Sequence, residues 1–181
     1  MKIPTKKITL IGLCIAINMV AAWIAVILKF PIYLDSIGTI MAGFAFGPLF
    51  GVLSGVISAF VNTIGDPIAL YFMPTQIIVG FTAGYFKFLK RDDYKSKLYL
   101  TPFMSIPAAI SSALVATYLF GTVTTAGSSY IVQAIRAVMD LPDFVIVFII
   151  QIITDYADKL ISILLVSKVY NMYAFQDILK K

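Results

Sequence analysis

The sequence predicts an all-α fold: an integral membrane bundle of six transmembrane helices, N-in and C-in, with residues 1–181 forming a single membrane domain. Three observations predict it. The chain is 60% hydrophobic and only 13% charged, against about 45–50% and about 25% in soluble domains, and its mean hydropathy is +0.95. Apolar stretches near the roughly 20 residues needed to cross a bilayer recur along it. The basic residues cluster where loops return to one side of the membrane.

Residues 8–29 make the first span. The apolar run from Ile8 to Leu28 exceeds the roughly 7–15 residues of a signal-peptide core, so MKIPTKK is expected to precede a retained helix. The next stretch, LDSIGTIMAGFAFGPLFGVLSGVISAFVNTI (34–64), is too long for one span and short for two. Pro48 lacks an N–H and disfavours helix at Gly47. Either one helix kinks there, or two short helices meet in a tight turn. The positive-inside rule arbitrates. With two helices, 34–47 and 49–64, the loop KFLKRDDYKSK (87–97) returns to the side of Lys2, Lys6 and Lys7, and Lys180 and Lys181 do the same. Lys29 and Arg136 are then the only cations in outer loops. One kinked helix would place the 87–97 cluster outside. Residues 74–90 make a short fourth span, 100–121 the fifth, and 143–171 a sixth long enough to tilt or project. Asp35, Asp66, Asp140 and Asp143 gather on the outer side.

The chain has fourteen Lys+Arg, nine acidic residues that are all Asp, and no His. Topology accounts for the basic residues, so no nucleic-acid partner is expected. Without His, a His-ligated metal site and a His-based catalytic triad are excluded. There is no Walker A, HExxH or GxSxG motif. The expectation is a protein that is not an enzyme and carries no cofactor or metal; uphill transport would draw on an ion gradient or a partner. The single Cys14 sits in an apolar run as a small buried hydrophobe.

Small residues recur every four positions at Gly43, Gly47, Gly51, Gly55 and Ala59, and again at Gly80 and Gly84. Small residues let helix backbones approach in a bilayer; intramolecular packing is the expectation, with docking to a partner as the alternative. On the first span Cys14, Asn18, Ala21 and Ala25 share one face, flanked by Ala22, while Gly12 and Ala16 lie nearly opposite.

The segment TDYADKLIS (154–162) interrupts the last apolar run with Asp155, Asp158 and Lys159. A charge at mid-bilayer costs about 2.5–3.5 kcal/mol, so these residues are expected to face the bundle interior or a wet cavity. Asp155 and Lys159 are i,i+4 neighbours and can pair; Asp158 shares the face, with Gln151 and Ser162 a turn either way. Three roles stay open: a structural ion pair, a ligand site with one spare carboxylate, or a proton or cation relay. The outer loops add Asn62, Asp66, Tyr71 and Gln76 around GDPIALYFMP. The segment SSYIVQAIRAVMD (128–140) adds Tyr130, Gln133 and Arg136 on one face of a short helix. Aromatic walls with a few polar groups suit a small heteroaromatic ligand; for 128–140 a solvated interfacial helix is the alternative.

With FPIYLDSIGTIMAGFAFGPLFGVLSGVISAF in a basic-looped, six-span chain, the sequence resembles the substrate-binding (S) components of energy-coupling-factor (ECF) vitamin transporters, ABC-type complexes. The resemblance implies a subunit of a bacterial plasma membrane that binds a vitamin or precursor from outside. It would be lodged in the lipid bilayer beside a transmembrane coupling subunit and two ABC ATPase subunits. It also implies that the first helix docks the coupling subunit through alanine-spaced positions. Here these are Asn18, Ala21, Ala22 and Ala25, where Ala21 and Ala25 fit the spacing and Cys14 and Asn18 depart from it. A surplus carboxylate and few outer cations favour a pyridoxine-like vitamer or the hydroxymethylpyrimidine precursor of thiamine, with cobalamin the main rival. A membrane sensor, whose segments the LDSIGT…GPLFGVLSG block also resembles, and a proton-coupled carrier acting alone are the alternatives from other classes.

Overall fold

The structure is a computed structural model, described here for residues 5–86, 94–172 and 175. Every regular element among these residues is helical: α1 (Thr5–Ile27), α2 (Ile37–Phe46), α3 (Pro48–Asn62), a 3-10 segment (Pro67–Phe72) running into α4 (Met73–Phe86), α5 (Tyr94–Tyr118), α6 (Ser128–Arg136) and α7 (Asp143–Tyr170). Three helical stretches, Thr5–Ile27, Pro67–Phe86 and Tyr94–Tyr118, are long and apolar enough by composition to cross a membrane. The longest helix, α7, carries Asp155, Asp158 and Lys159 along its buried side.

The Gly47-Pro48 step makes two helices. Gly47 takes φ +94°, a conformation that favours glycine, and its N–H closes α2 on Gly43 O at 2.8 Å. Pro48 then opens α3 at the position where a missing N–H costs nothing. The first helix ends differently. Lys29 adopts φ 55° and the N–H of Phe30 reaches back to Ala25 O at 2.9 Å, a Schellman-type stop that turns the chain into the 28–36 loop. The expected fifth span starts earlier than composition suggested, at Tyr94. Lys97 is buried there and its ammonium donates to Ser167 Oγ on α7 at 2.5 Å, which lets the polar turn continue as helix. The basic positions Lys2, Lys87, Lys90, Arg91, Lys180 and Lys181 lie outside the described residues.

Glycine stripes hold α2, α3 and α4 together. A Cβ on Gly80 would collide with the Gly51 carbonyl, one on Gly51 with the Gly80 carbonyl, and one on Gly43 would sit 2.8 Å from Gly80 O. The backbones of α3 and α4 therefore touch directly. The stripe of small residues is internal packing, the first of its two expected roles.

Outside, the helices are apolar: Leu13, Val20 and Ile24 on α1, Leu49, Leu53, Ile57 and Phe60 on α3, and Ile149, Ile153 and Leu165 on α7 are exposed. Inside, apolar clusters that include Ile40, Val79, Met104 and Ile163 enclose polar groups: Asn18, Thr39, Ser58, Gln76, Ser112, Asp155, Asp158 and Lys159 are all buried. An apolar exterior around buried polar groups is the pattern of a chain whose solvent is lipid.

Candidate functional site

The charged residues of α7 sit under a cavity. Lys159 is the hub. Its Nζ lies 2.5 Å from Asp158 Oδ2 and 3.9 Å from Asp155 Oδ1, and all three side chains are almost wholly buried. The i,i+4 spacing had favoured Asp155 as the partner; the closer contact is with Asp158. The reason is tertiary. Asp158 Oδ1 accepts the backbone N–H of Leu34 at 2.9 Å, and its Oδ2 accepts Ser36 Oγ at 3.2 Å. The carboxylate is thus locked onto the 28–36 loop beside its ammonium. Asp155 has a looser second contact, Ser112 Oγ donating to its Oδ2 at 3.0 Å from α5. Asp155 and Lys159 line the cavity, and Asp158 stands behind them.

Loops supply the other walls. Trp23 from the end of α1, Phe30 and Tyr33 from the following loop, and Phe72 from the 3-10 segment give aromatic faces. Tyr33 is set by Gln151, whose Nε2 donates to its hydroxyl at 3.2 Å, and it lies 3.4 Å from Ser128 Oγ. Burial pushes the Tyr33 hydroxyl up to about 12, so it stays neutral. Asp35, Asn62, Asp66 and Gln76 also line the space. Asp66 caps the 3-10 segment through Ile68 N at 3.3 Å and accepts Thr125 Oγ1 at 2.6 Å, tying two loops over the cavity.

Among the described residues, two buried polar atoms of lining residues have no hydrogen-bond partner: Asn62 Oδ1, an acceptor, and Trp23 Nε1, a donor. Buried polar groups are normally satisfied; here both atoms are themselves enclosed by protein, and the Trp23 N–H edge packs against Gly65. The cavity gives the centres of water-sized molecules about 70 Å³, several times the ~10–15 Å³ that one water requires.

The structure gathers the expected site residues only in part. Asn62, Asp66, Gln76, Asp155 and Lys159 line the cavity, while Asp158 and Gln151 support it from behind. Tyr71 is instead exposed and edges onto Phe120 at 5.2 Å. Gln133 and Arg136 turn to Thr122 Oγ1, at 2.9 and 3.4 Å, and Arg136 pairs with Asp143 at 2.9 Å in a half-exposed bridge. Tyr130 is exposed beneath the Lys29 ammonium. The α6 helix forms as expected, but its polar face braces the 121–127 turn rather than the cavity. Sequence reasoning missed Trp23, Tyr33, Asp35 and Phe72. The single tryptophan and the aspartate opening a short apolar helix were the available signals.

The expected docking face lies largely inside the bundle. Asn18 and Ala25 are buried and Ala21 and Ala22 half-buried; Ala22 and Ala25 line the cavity. Asn18 is held inside because its amide meets polar groups on two other helices, Gly38 and Thr39 on α2 and Ser58 on α3. The outward face of α1 is the opposite one, with Gly12, Leu13, Ala16, Val20 and Ile24 exposed and nothing within 4 Å of a Cβ placed on Gly12.

Residues 6–170 match a family model described as ECF transporter, substrate-specific component. No curated protein and no solved structure matches the chain.

Proposed function

The chain belongs to the substrate-specific components of ECF transporters, and on that premise we propose that it captures a small nitrogen heteroaromatic vitamer in the cavity between α7 and the 28–36 loop. A pyridoxine-like compound or hydroxymethylpyrimidine is the favoured class. The observation that carries this is the set of groups around one small space. Asp35, Asp66 and Asp155 face it with Lys159 as the buried cation, and Lys159 is already engaged by Asp158. That balance favours a neutral or singly cationic ring over an anionic one. Trp23, Tyr33 and Phe72 offer ring faces, and Asp66, Gln76 and Asp155 offer polar groups. The size of the cavity argues for a single ring over cobalamin.

In this proposal α1, α2, α3, α4, α5 and α7 are the six spans, N-in and C-in, and α6 lies at the outer surface beside the cavity mouth. A helix as short as α2 can cross because protein surrounds it, with Gly38 through Phe44 all buried, while α3 packs one face on α4 and turns Leu49, Leu53, Ile57 and Phe60 outward. Family membership implies ECF partner subunits. The proposed assembly has a transmembrane coupling subunit and two ABC ATPases in a bacterial plasma membrane, with docking through the exposed Gly12–Ala16 face of α1.

The test is co-purification after mild extraction, with mass spectrometry of bound protein and bound small molecule. The expected result is a coupling subunit, two ATPases and a heteroaromatic vitamer. Recovery of cobalamin or an anionic vitamin would overturn the ligand class, and reconstituted uptake by the chain alone would overturn the assembly.

A further inference from the structure

A chain of hydrogen bonds with a fixed direction runs from the start of α2, through Asn18 on α1, to the cavity. It starts at the backbone N–H of Gly38, which can only donate, and which donates to Asn18 Oδ1 at 2.6 Å. The Asn18 amide is thereby oriented, and its Nδ2 donates to Thr39 Oγ1 at 2.8 Å and to Ser58 Oγ at 3.0 Å. Because Thr39 Oγ1 accepts from Asn18, its one proton goes onward, to Gln76 Oε1 at 3.1 Å. Gln76 Nε2 then donates to the backbone carbonyl of Asp35 at 3.3 Å. That carbonyl can only accept, so both ends of the chain impose the same direction. Flipping Gln76 would set its carbonyl against the Asp35 carbonyl and its NH2 against a hydroxyl already aimed at it.

We infer that Asn18 and Thr39 are positioning residues that fix the Gln76 amide so that the cavity presents an N–H there rather than a carbonyl, and that this selects a ring carrying an acceptor at that edge. Gln76 lines the cavity, and its Nε2 has a second N–H beyond the one spent on Asp35. The inference rests on the ring-ligand proposal above and adds the polarity of one edge. A buried site built to hydrogen-bond one group rejects the analogue of opposite polarity strongly, because the mismatch leaves buried groups unpaired.

Two measurements test it. The first needs no ligand. Protein labelled with 13C at the glutamine side-chain carbonyl is compared by infrared spectroscopy in native, Thr39→Val and Thr39→Ser forms, with the Gln76→Glu spectrum used to isolate the Gln76 band. Thr39→Val keeps the shape and removes the donor. The band should move to higher wavenumber in Thr39→Val and return in Thr39→Ser; an unmoved band overturns the assigned direction. The second uses Trp23, the only tryptophan, as a fluorescence reporter of binding. The probes are hydroxymethylpyrimidine, with its 4-amino group and adjacent ring acceptor, and its 4-oxo counterpart, in which donor and acceptor are exchanged. Native protein should prefer the amino ring by about tenfold or more. The preference should collapse in Thr39→Val and in Asn18→Leu, and recover in Thr39→Ser. A preference retained in folded Thr39→Val overturns the inference. If neither ring binds native protein, the proposed ligand class fails, and the infrared shift alone then decides the inference.

Discussion

The N–H of Leu34 donates to Asp158 Oδ1 over 2.9 Å, so a carboxylate in the middle of the last helix holds the loop that follows the first. Leu34 takes φ 53°, a left-handed conformation unfavourable for a leucine, and the bond to a buried charge compensates for it. Asp158 is also the near partner of Lys159. Removing it leaves that ammonium buried without its near partner, Asp155 being 3.9 Å away. Asp158→Ala is therefore expected to cost about 3–5 kcal/mol, the range for breaking a buried pair. Thermal melts of the detergent-purified variant check this; a melt equal to the native one would remove Asp158 from the structural role.

Asp155 should behave differently. It lines the cavity, sits farther from Lys159, and takes its nearer hydrogen bond from a neutral hydroxyl, Ser112. Asp155→Asn keeps the shape and an acceptor for Ser112. Ligand affinity is expected to fall by about 1.5–3 kcal/mol, as for a hydrogen bond to a charged group, with a nearly native melt. Calorimetry on the purified variant decides it. Native affinity would move the ligand contact to Asp35 and Asp66, and lost uptake with native binding would favour a proton relay.

The helical class and the α2–α3 break were legible in the sequence because they rest on local physics: apolar length, a proline without an N–H, a glycine able to take φ +94°. The interior position of Asp155, Asp158 and Lys159 was legible from the cost of charge in lipid. The pairing among them was not. Helical spacing pointed to Asp155, while the Leu34 N–H and the Ser36 hydroxyl, over a hundred residues away in sequence, fix Asp158. The buried place of Asn18 was hidden for the same reason. Its spacing placed it on a small-residue face, but its amide is satisfied only by Gly38, Thr39 and Ser58 inside the bundle. Tyr130, Gln133 and Arg136 were read as one helix, which forms, and as site residues; that Thr122 takes two of them is revealed by nothing local.

Topology follows from the proposed orientation. In a Cys14→Ala background, which removes a thiol already buried, Tyr94→Cys and Val138→Cys each place a thiol at an exposed position near opposite ends of the bundle. In intact cells an impermeant thiol reagent should label Val138→Cys and spare Tyr94→Cys until the membrane is permeabilised. The reverse pattern would exclude the N-in, six-span arrangement and the outward-facing cavity with it.

Partner docking should fail when the outer face of α1 is filled. Lipid gives helices no hydrophobic reason to associate, so contact depends on close backbone approach over small residues. Gly12 and Ala16 supply such a surface, one turn apart and exposed, with open space above Gly12. A Cβ on Gly12 meets no described part of this chain within 4 Å, so a bulky ring on this outward face should leave the cavity unchanged. Gly12→Trp and Ala16→Trp are expected to abolish uptake by the reconstituted ECF complex while ligand binding to the isolated chain stays native. Ala25→Trp is the contrasting variant: Ala25 is buried and lines the cavity, so it should lose binding and uptake together. Normal uptake in both outer-face variants would exclude Gly12 and Ala16 from the interface and shift docking to another exposed face, such as Leu49, Leu53 and Ile57 on α3.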